Sequence, residues 1–269
     1  MPEGHTLYRL AREQSALFAG RPVHVTSPQG RFDAGAALLD GRVLDEVFSY
    51  GKHLFARFGS DHLHVHLGLY GSYLTGTGMP PPAKGALRMR WEADGPDGSG
   101  VWTDLRGATA CDLITDGEVQ LILDRLGPDP LRRRSDPAKA FARISRSRVS
   151  IGALLMDQAV LAGVGNVYRA ELLFRHRVSP FRPGKAVDDA LWAQLWADLV
   201  TLMRSGVRMG RIVTTRPEDR SRRSGAVRRE DAHYVYRRTG LPCRICGTEV
   251  RTEVMVGRNL HWCPTCQAV

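Results

Sequence analysis

A chain of 269 residues with 43% hydrophobic content has ample material for a core and room for two domains, or one plus an appendage. Its formal charge of +10 points to a polyanionic partner, most often nucleic acid, with a generic basic surface as the plainer reading. No run approaches the ~18 apolar residues of a membrane span and the polar N-terminus carries no signal peptide, so a soluble cytoplasmic protein is expected.

The chain opens Met1-Pro2-Glu3. Initiator methionine is removed before a small residue such as proline, which would leave Pro2 with a free secondary amine. Such an amine attacks an electrophilic carbon and gives a cationic iminium directly. An unperturbed α-amino group titrates near ~8, so part of it is neutral at physiological pH. Glu3 beside it is a candidate proton donor. A retained Met1 would turn the amine into an amide, so this chemistry requires a chain that begins at Pro2.

Helical spacing of Leu7, Leu10, Gln14, Leu17 and Phe18, with Gly20 as a stop, predicts a helix over Gly4 to Phe18. Its positive end would favour the neutral amine. From Pro22 to about Val101 short alternating runs broken by Gly, Pro and Asp predict a β-sandwich or barrel, with strands at 42–48, 53–58 and 87–91. Tyr50-Gly51-Lys52-His53 reads as a turn before a strand; Lys52 is a DNA-contact candidate or simply a solvated hairpin lysine. His62, His64 and His66 alternate on one strand face, which invites a metal reading, but core packing of Leu63, Val65 and Leu67 is the simpler account. Leu69-Tyr70 ends this run: either a packed strand end or an exposed tip able to wedge into a base stack.

A short helix is expected over Asp116 to Leu126, closed by Gly127-Pro128. The basic break at 131–137 is the best domain boundary. Helices follow at about 137–143, 151–158, 167–174 and 188–204, the last capped by Asp188. Leu161-Ala162-Gly163-Val164-Gly165-Asn166 is a glycine-containing turn between helices, where Asn166 opens a helix whose free N–H groups suit a phosphate; an ordinary interhelical turn is the alternative. Arg211 to Arg229 lacks period and reads as a mobile basic loop.

Cys243, Cys246, Cys263 and Cys266 form two Cys-x2-Cys pairs sixteen residues apart. In a reducing compartment this is a structural ribbon for one Zn2+, with disulfides or a redox pair as the other readings. Arg258 falls near the tip of the hairpin between the knuckles, where its guanidinium could fork onto a phosphate or simply be solvated. Cys111 is left over and reads as a small buried hydrophobe.

Taken together, these residues resemble the formamidopyrimidine-DNA glycosylase and endonuclease VIII family of base-excision repair enzymes. The resemblance rests on Met1-Pro2-Glu3-Gly4, Gly51-Lys52, residues 66–71 and 126–131, Leu155 to Gln158 through Gly163 to Asn166, and residues 262–267. It implies a multidomain α+β chain: an N-terminal β-sandwich with its helix (1–130), a helix–two-turn–helix domain (131–235) and a C-terminal zinc ribbon (236–269). It implies a bifunctional glycosylase and abasic-site lyase acting on damaged double-stranded DNA. On that match Pro2 attacks C1′ and Glu3 is the general acid/base. Lys52 contacts DNA and assists proton transfer. Asn166 and Arg258 grip the phosphates, with Arg258 supporting strand cleavage. Leu69 is the wedge and Tyr70 its neighbour. Since one asymmetric cleft suffices, a monomer is expected.

Residues 103–108, Thr-Asp-Leu-Arg-Gly-Ala, lack the Phe that formamidopyrimidine-type members carry in the matching stretch. With Leu69-Tyr70 and Asp157-Gln158 this favours the endonuclease VIII branch and oxidised pyrimidines over 8-oxoguanine. A non-catalytic zinc-ribbon DNA-binding protein is the reading from another class. His5 departs from the proline common after Met-Pro-Glu-Gly, and Gly68 replaces a frequent polar residue.

Overall fold

A computed structural model describes residues 2–95 and 98–268; Met1 lies outside them. The chain divides into two compact units, Met1–Arg125 and Leu126–Val269.

The first unit begins with helix α1 (Gly4–Phe18), over the residues expected. Strand β1 (His24–Thr26) and helix α2 (Asp33–Leu39) follow. Then come β2 (Glu46–Tyr50), β3 (His53–Phe58), β4 (Asp61–His66), β5 (Ser72–Thr77), β6 (Leu87–Asp94), β7 (Gly100–Arg106) and β8 (Ala110–Thr115). Helix α3 (Asp116–Asp124) closes the unit, with Thr115 and Glu118 forming a reciprocal capping box. The strands form two four-stranded antiparallel sheets, ordered β1-β6-β7-β5 and β2-β3-β4-β8. One apolar cluster joins their inner faces: Leu54, Ala56, Leu63 and Val65 from one sheet, Met89, Trp91, Val101 and Leu105 from the other, with Leu7 and Phe18 of α1. This is a sandwich rather than a barrel. Helix α2 interrupts the stretch expected to be strands; Asp33-Ala-Gly-Ala-Ala-Leu-Leu is too short to show a helical period there, and it buries only Gly35, Ala36 and Leu39.

The second unit holds α4 (Pro137–Ile144), α5 (Ile151–Leu154), α6 (Asn166–Arg175) and α7 (Asp189–Met209), then the antiparallel pair β9 (Arg251–Met255) and β10 (Arg258–Trp262). Asp136 and Asp188 cap α4 and α7 through their carboxylates. Helix α7 runs past the expected Arg204 to Met209, where Gly210 takes the left-handed conformation that ends it. Helix α5 stops at Leu154, short of the expected Gln158, because Gln158 is used otherwise: its amide donates to the Met156 and Val164 carbonyls and accepts from Gly163 N–H. Gly163, at φ 88°, turns the chain toward α6. No helix among the described residues is long and apolar enough to cross a membrane.

Candidate active site and metal centre

In the first unit, Glu3 is the N-cap residue of α1, and its carbonyl accepts from Thr6 N–H at 2.8 Å. Its side chain is fully buried, whereas Pro2 is half-buried. Both therefore sit at the positive end of a fifteen-residue helix, a place that disfavours a second cation and so lowers the basicity of an amine. His5 is buried in the first turn, and burial pushes its pKa down to about 4. Its imidazole is neutral at pH 7 and adds no charge beside Pro2.

Helix α1 packs on β2 and β3, the strands that flank Lys52. These strands pair with Tyr50 opposite His53, which leaves Gly51-Lys52 as a two-residue hairpin turn. Gly51 takes a positive φ of 57°, the position a type II′ hairpin reserves for glycine. Lys52 is thereby carried at the sheet edge and is half-buried.

The Leu69-Tyr70 turn leaves the same end of the sheet, since β4 ends at His66 opposite His53. It is a tight loop held by backbone geometry. Gly71 N–H donates to the Leu67 carbonyl at 2.9 Å. A Cβ on Gly71 would lie 2.3 Å from that carbonyl oxygen, and one on Gly68 would meet the Thr109 methyl at 2.4 Å. The Gly68 departure is thus a requirement of this turn, made by Thr109. At the tip Tyr70 is 88% exposed and Leu69 only 37%. The β7–β8 connection that runs past this turn is Gly107-Ala108-Thr109 and carries no large side chain.

In the second unit, the first turn of α6 clamps the β9–β10 hairpin from both strands. Asn166 Nδ2 donates to the Asn259 carbonyl at 2.9 Å. Arg169, fully buried, reaches the Met255 and Gly152 carbonyls at 3.4 Å each and donates to Asn166 Oδ1. The turn itself is Val256-Gly257, both at positive φ (53° and 65°), and exposed Arg258 is the first residue beyond it. Asn166 and Arg258, ninety-two positions apart in sequence, are therefore fixed on one locally braced feature.

The four cysteines bring their sulfurs within 4.8 Å of one another, and they are the one such metal-ligand group of three or more among the described residues. Sγ–Sγ distances are 3.9 Å for Cys243–Cys266 and 3.4 Å for Cys246–Cys263. Sulfurs about 2.3 Å from one tetrahedral zinc lie about 3.8 Å apart, so the four fit one Zn2+. The knuckles pack on α6 through Cys243, Cys263, Val250, Val235, Phe174 and Ala170. Gln267 bridges Cys263 N–H to the Val178 carbonyl.

One buried acid of this region has no local signature in the sequence. Glu171, fully buried on α6, accepts from the backbone N–H groups of Tyr234, Val235 and Tyr236 at 2.7–2.8 Å and from the Thr214 hydroxyl. A helix buried on all sides, as α6 is, was the available signal that an acid within it must be satisfied internally. The segment from Arg211 to Arg229 has one 3₁₀ turn, Pro217–Asp219, which Tyr234 ties down: its Oη donates to Asp219 at 2.5 Å and accepts from Arg216 N–H at 2.9 Å. Cys111 is buried, and burial pushes its thiol up to about 12.

Three family profiles match the chain: the formamidopyrimidine-DNA glycosylase N-terminal domain over residues 1–111, the formamidopyrimidine-DNA glycosylase H2TH domain over 126–218, and a zinc finger found in these glycosylases and isoleucyl-tRNA synthetase over 240–269. Endonuclease 8 1 of Mycobacterium tuberculosis is 51% identical over 273 aligned positions, covering 99% of this chain and all of that protein. Formamidopyrimidine-DNA glycosylase of Thermus thermophilus is 35% identical, covering 86% and 85%. Among solved structures, Lactococcus lactis formamidopyrimidine-DNA glycosylase bound non-covalently to abasic-site DNA shares the fold, with a TM-score of 0.80 at 21% identity over 99% of this chain and all of that one. The four cysteines are thus the structural zinc finger of a shared architecture, and the chain belongs to the formamidopyrimidine-DNA glycosylase and endonuclease VIII family of base-excision DNA repair enzymes.

Proposed function

We propose that this protein excises oxidised bases, preferentially pyrimidines, from duplex DNA and then cuts the strand through an iminium formed by Pro2. The observation that carries this reading is the start of α1: a half-buried Pro2 beside a fully buried Glu3 at a helix N-terminus, where a neutral amine is favoured. The Pro2 nitrogen lone pair forms a bond to C1′, and the bond from C1′ to the base breaks. The departing base takes a proton, and Glu3 is the donor within this site. Loss of the nitrogen's own proton and opening of the sugar ring leave the iminium, whose C4′ oxygen is protonated. The iminium acidifies the C2′ proton; its removal expels the 3′ phosphate, and a second elimination from C4′ releases the 5′ phosphate. Water then hydrolyses the iminium and returns the amine.

Lys52 contacts DNA from its hairpin and assists proton transfer. Asn166 and Arg258 hold the flanking phosphates: with Oδ1 engaged by Arg169 and one Nδ2 hydrogen on Asn259, the second Nδ2 hydrogen is the one offered. Leu69 and Tyr70 enter the stack that the flipped nucleotide vacates. Zinc bound by the four cysteines supplies only fold stability. Three parts, 1–130, 131–235 and 236–269, supply chemistry, grip and the phosphate-binding finger, and a single chain suffices at the chromosome.

The oxidised-pyrimidine preference is supported by the small Gly107-Ala108-Thr109 connection and by the greater identity to endonuclease 8 1 than to the Thermus glycosylase. Borohydride trapping on duplexes containing 5-hydroxyuracil, thymine glycol, or 8-oxoguanine opposite cytosine tests it. Covalent adducts are expected with the two pyrimidines. A preference for 8-oxoguanine overturns the lesion class, and absence of any adduct on abasic DNA points to a binding module. Pro2→Gly and Glu3→Gln should each abolish trapping on lesion DNA while binding persists.

A further inference from the structure

Among the described residues the β4 histidines do not converge as a group of three metal ligands. Two of them, His64 and His66, meet a further imidazole, His53 of β3, on the outer face of the β2-β3-β4-β8 sheet. His53 Nδ1 lies 2.9 Å from His64 Nε2, with the rings stacked at 5.2 Å. His53 and His66 are cross-strand partners, with ring centroids 5.1 Å apart. Phe55 stacks on His64 at 5.1 Å and on Phe48 at 5.0 Å, which gives the row an aromatic floor. At the other end His66 Nδ1 is 2.9 Å from Thr109 Oγ1. Thr109 gives its single hydroxyl proton to the His66 carbonyl, so its oxygen must accept from His66, and the Nδ1–H tautomer of His66 is fixed.

The placement of this row is what matters. His53 directly follows Lys52, and His66 directly precedes the Leu67-Gly68-Leu69-Tyr70 run. Thr109, the far partner of the row, is also the residue that fills the space beside Gly68. The two turns that carry the proposed functional side chains thus rise from one cross-strand pair, His53 and His66, whose rings touch at a tilt, and His64 is bonded to and stacked on the first of them. A charged imidazole here would face Lys52 and Arg125, with only Asp112, opposite His64, in compensation. Burial and these cations push all three imidazoles below their ordinary range, His53 to about 3. The row is therefore neutral where the protein works and adds no charge beside the Lys52 turn.

We propose that His53, His64 and His66 form a positioning row that fixes the Lys52 turn and the Leu69-Tyr70 turn relative to one another for strand cleavage. It rests on the functional reading above. The test uses the full chain beginning at Pro2, with His53→Phe, His64→Phe, the double variant, and His53→Asn, whose amide keeps a hydrogen-bonding group near the Nδ1 position. Single-turnover incision of an abasic-site duplex is measured together with the Kd for a reduced abasic-site duplex and with Tm. A misplacement of this kind should slow incision about 10-fold in each Phe variant while Kd moves less than about 2-fold. The double variant should be no slower than either single, since one bond is lost in each, and His53→Asn should recover most of the rate. Additive losses, an equal loss in His53→Asn, or losses that track Tm would overturn the positioning role, as would unchanged rates in the Phe variants. Should a Phe variant not fold, His64→Gln against His64→Leu asks the same question from the other ring. Wild-type protein that fails to incise abasic DNA would instead sink the functional reading.

Discussion

Asn166 at the start of α6 and Asn259 on β10 are joined by a 2.9 Å hydrogen bond from side-chain amide to backbone carbonyl. That bond ties a helix N-terminus to the strand that begins with Arg258. Asn166 therefore acts twice, as a proposed phosphate ligand and as the brace of a second one.

Asn166→Asp keeps the acceptor used by Arg169, removes the donor and adds a negative charge. Affinity for abasic-site duplex should fall by at least about 10-fold, more than for Arg258→Ala. Arg258→Ala should chiefly reduce the slope of log K against log salt by about 1, read by fluorescence anisotropy from 50 to 300 mM salt. Equal affinities for wild type and Asn166→Asp would show that the amide is structural only.

At the exposed turn, Tyr70 offers far more free surface than Leu69. Tyr70→Ala should therefore weaken excision of a paired lesion more than Leu69→Ala, by about 1–3 kcal/mol of stacking. Both should leave cleavage of preformed abasic sites nearly unchanged. Parallel single-turnover assays on the two substrates give the comparison, and a larger loss in Leu69→Ala would make Leu69 the principal wedge.

Helices α6 and α7 are clamped by Asp198, which accepts from Arg175 at 2.7 and 2.8 Å and pairs with His176 at 3.0 Å. Burial alone would raise this carboxyl, but the hydrogen bonds from His176 and Arg175 and the guanidinium charge pull it down to about 2. A group depressed on folding stabilises the fold above its unfolded pKa, near 3.9, and loses that contribution as pH falls toward 2. Asp198→Asn should cost about 2 kcal/mol at pH 7, and the difference from wild type should shrink below pH ~4. Melting curves between pH 3 and 7 check this; a constant difference would refute it.

Removal of zinc by a chelator should release one ion per chain and unseat the finger from α6, because Cys243 and Cys263 belong to the same apolar cluster as Ala170 and Phe174. DNA affinity should drop at least about 10-fold and return on adding Zn2+. Full affinity in the metal-free protein would mean that the hairpin is held by Asn166 and Arg169 alone.

Local chemistry made much of the fold legible. The first helix, the Asp188 cap and the cysteine spacing each depend on residues close in sequence, so their signals survive without tertiary knowledge. The β4 alternation correctly placed Leu63, Val65 and Leu67 in the core. It could not show that α3 packs over the other face and that His53 completes a row there, because strand order is a long-range property. Glu171 was hidden for the same reason: its partners lie 43 to 65 positions away.

That same carboxylate has an evolutionary consequence. Thr214 and residues 234–236 both end on Glu171, so the chain between them leaves and re-enters the fold at one knot. A segment closed at its neck can lengthen, shorten or change its side chains while the finger stays seated. Glu171 thus separates what must be kept from what can be exchanged, and gives one repair scaffold a replaceable module.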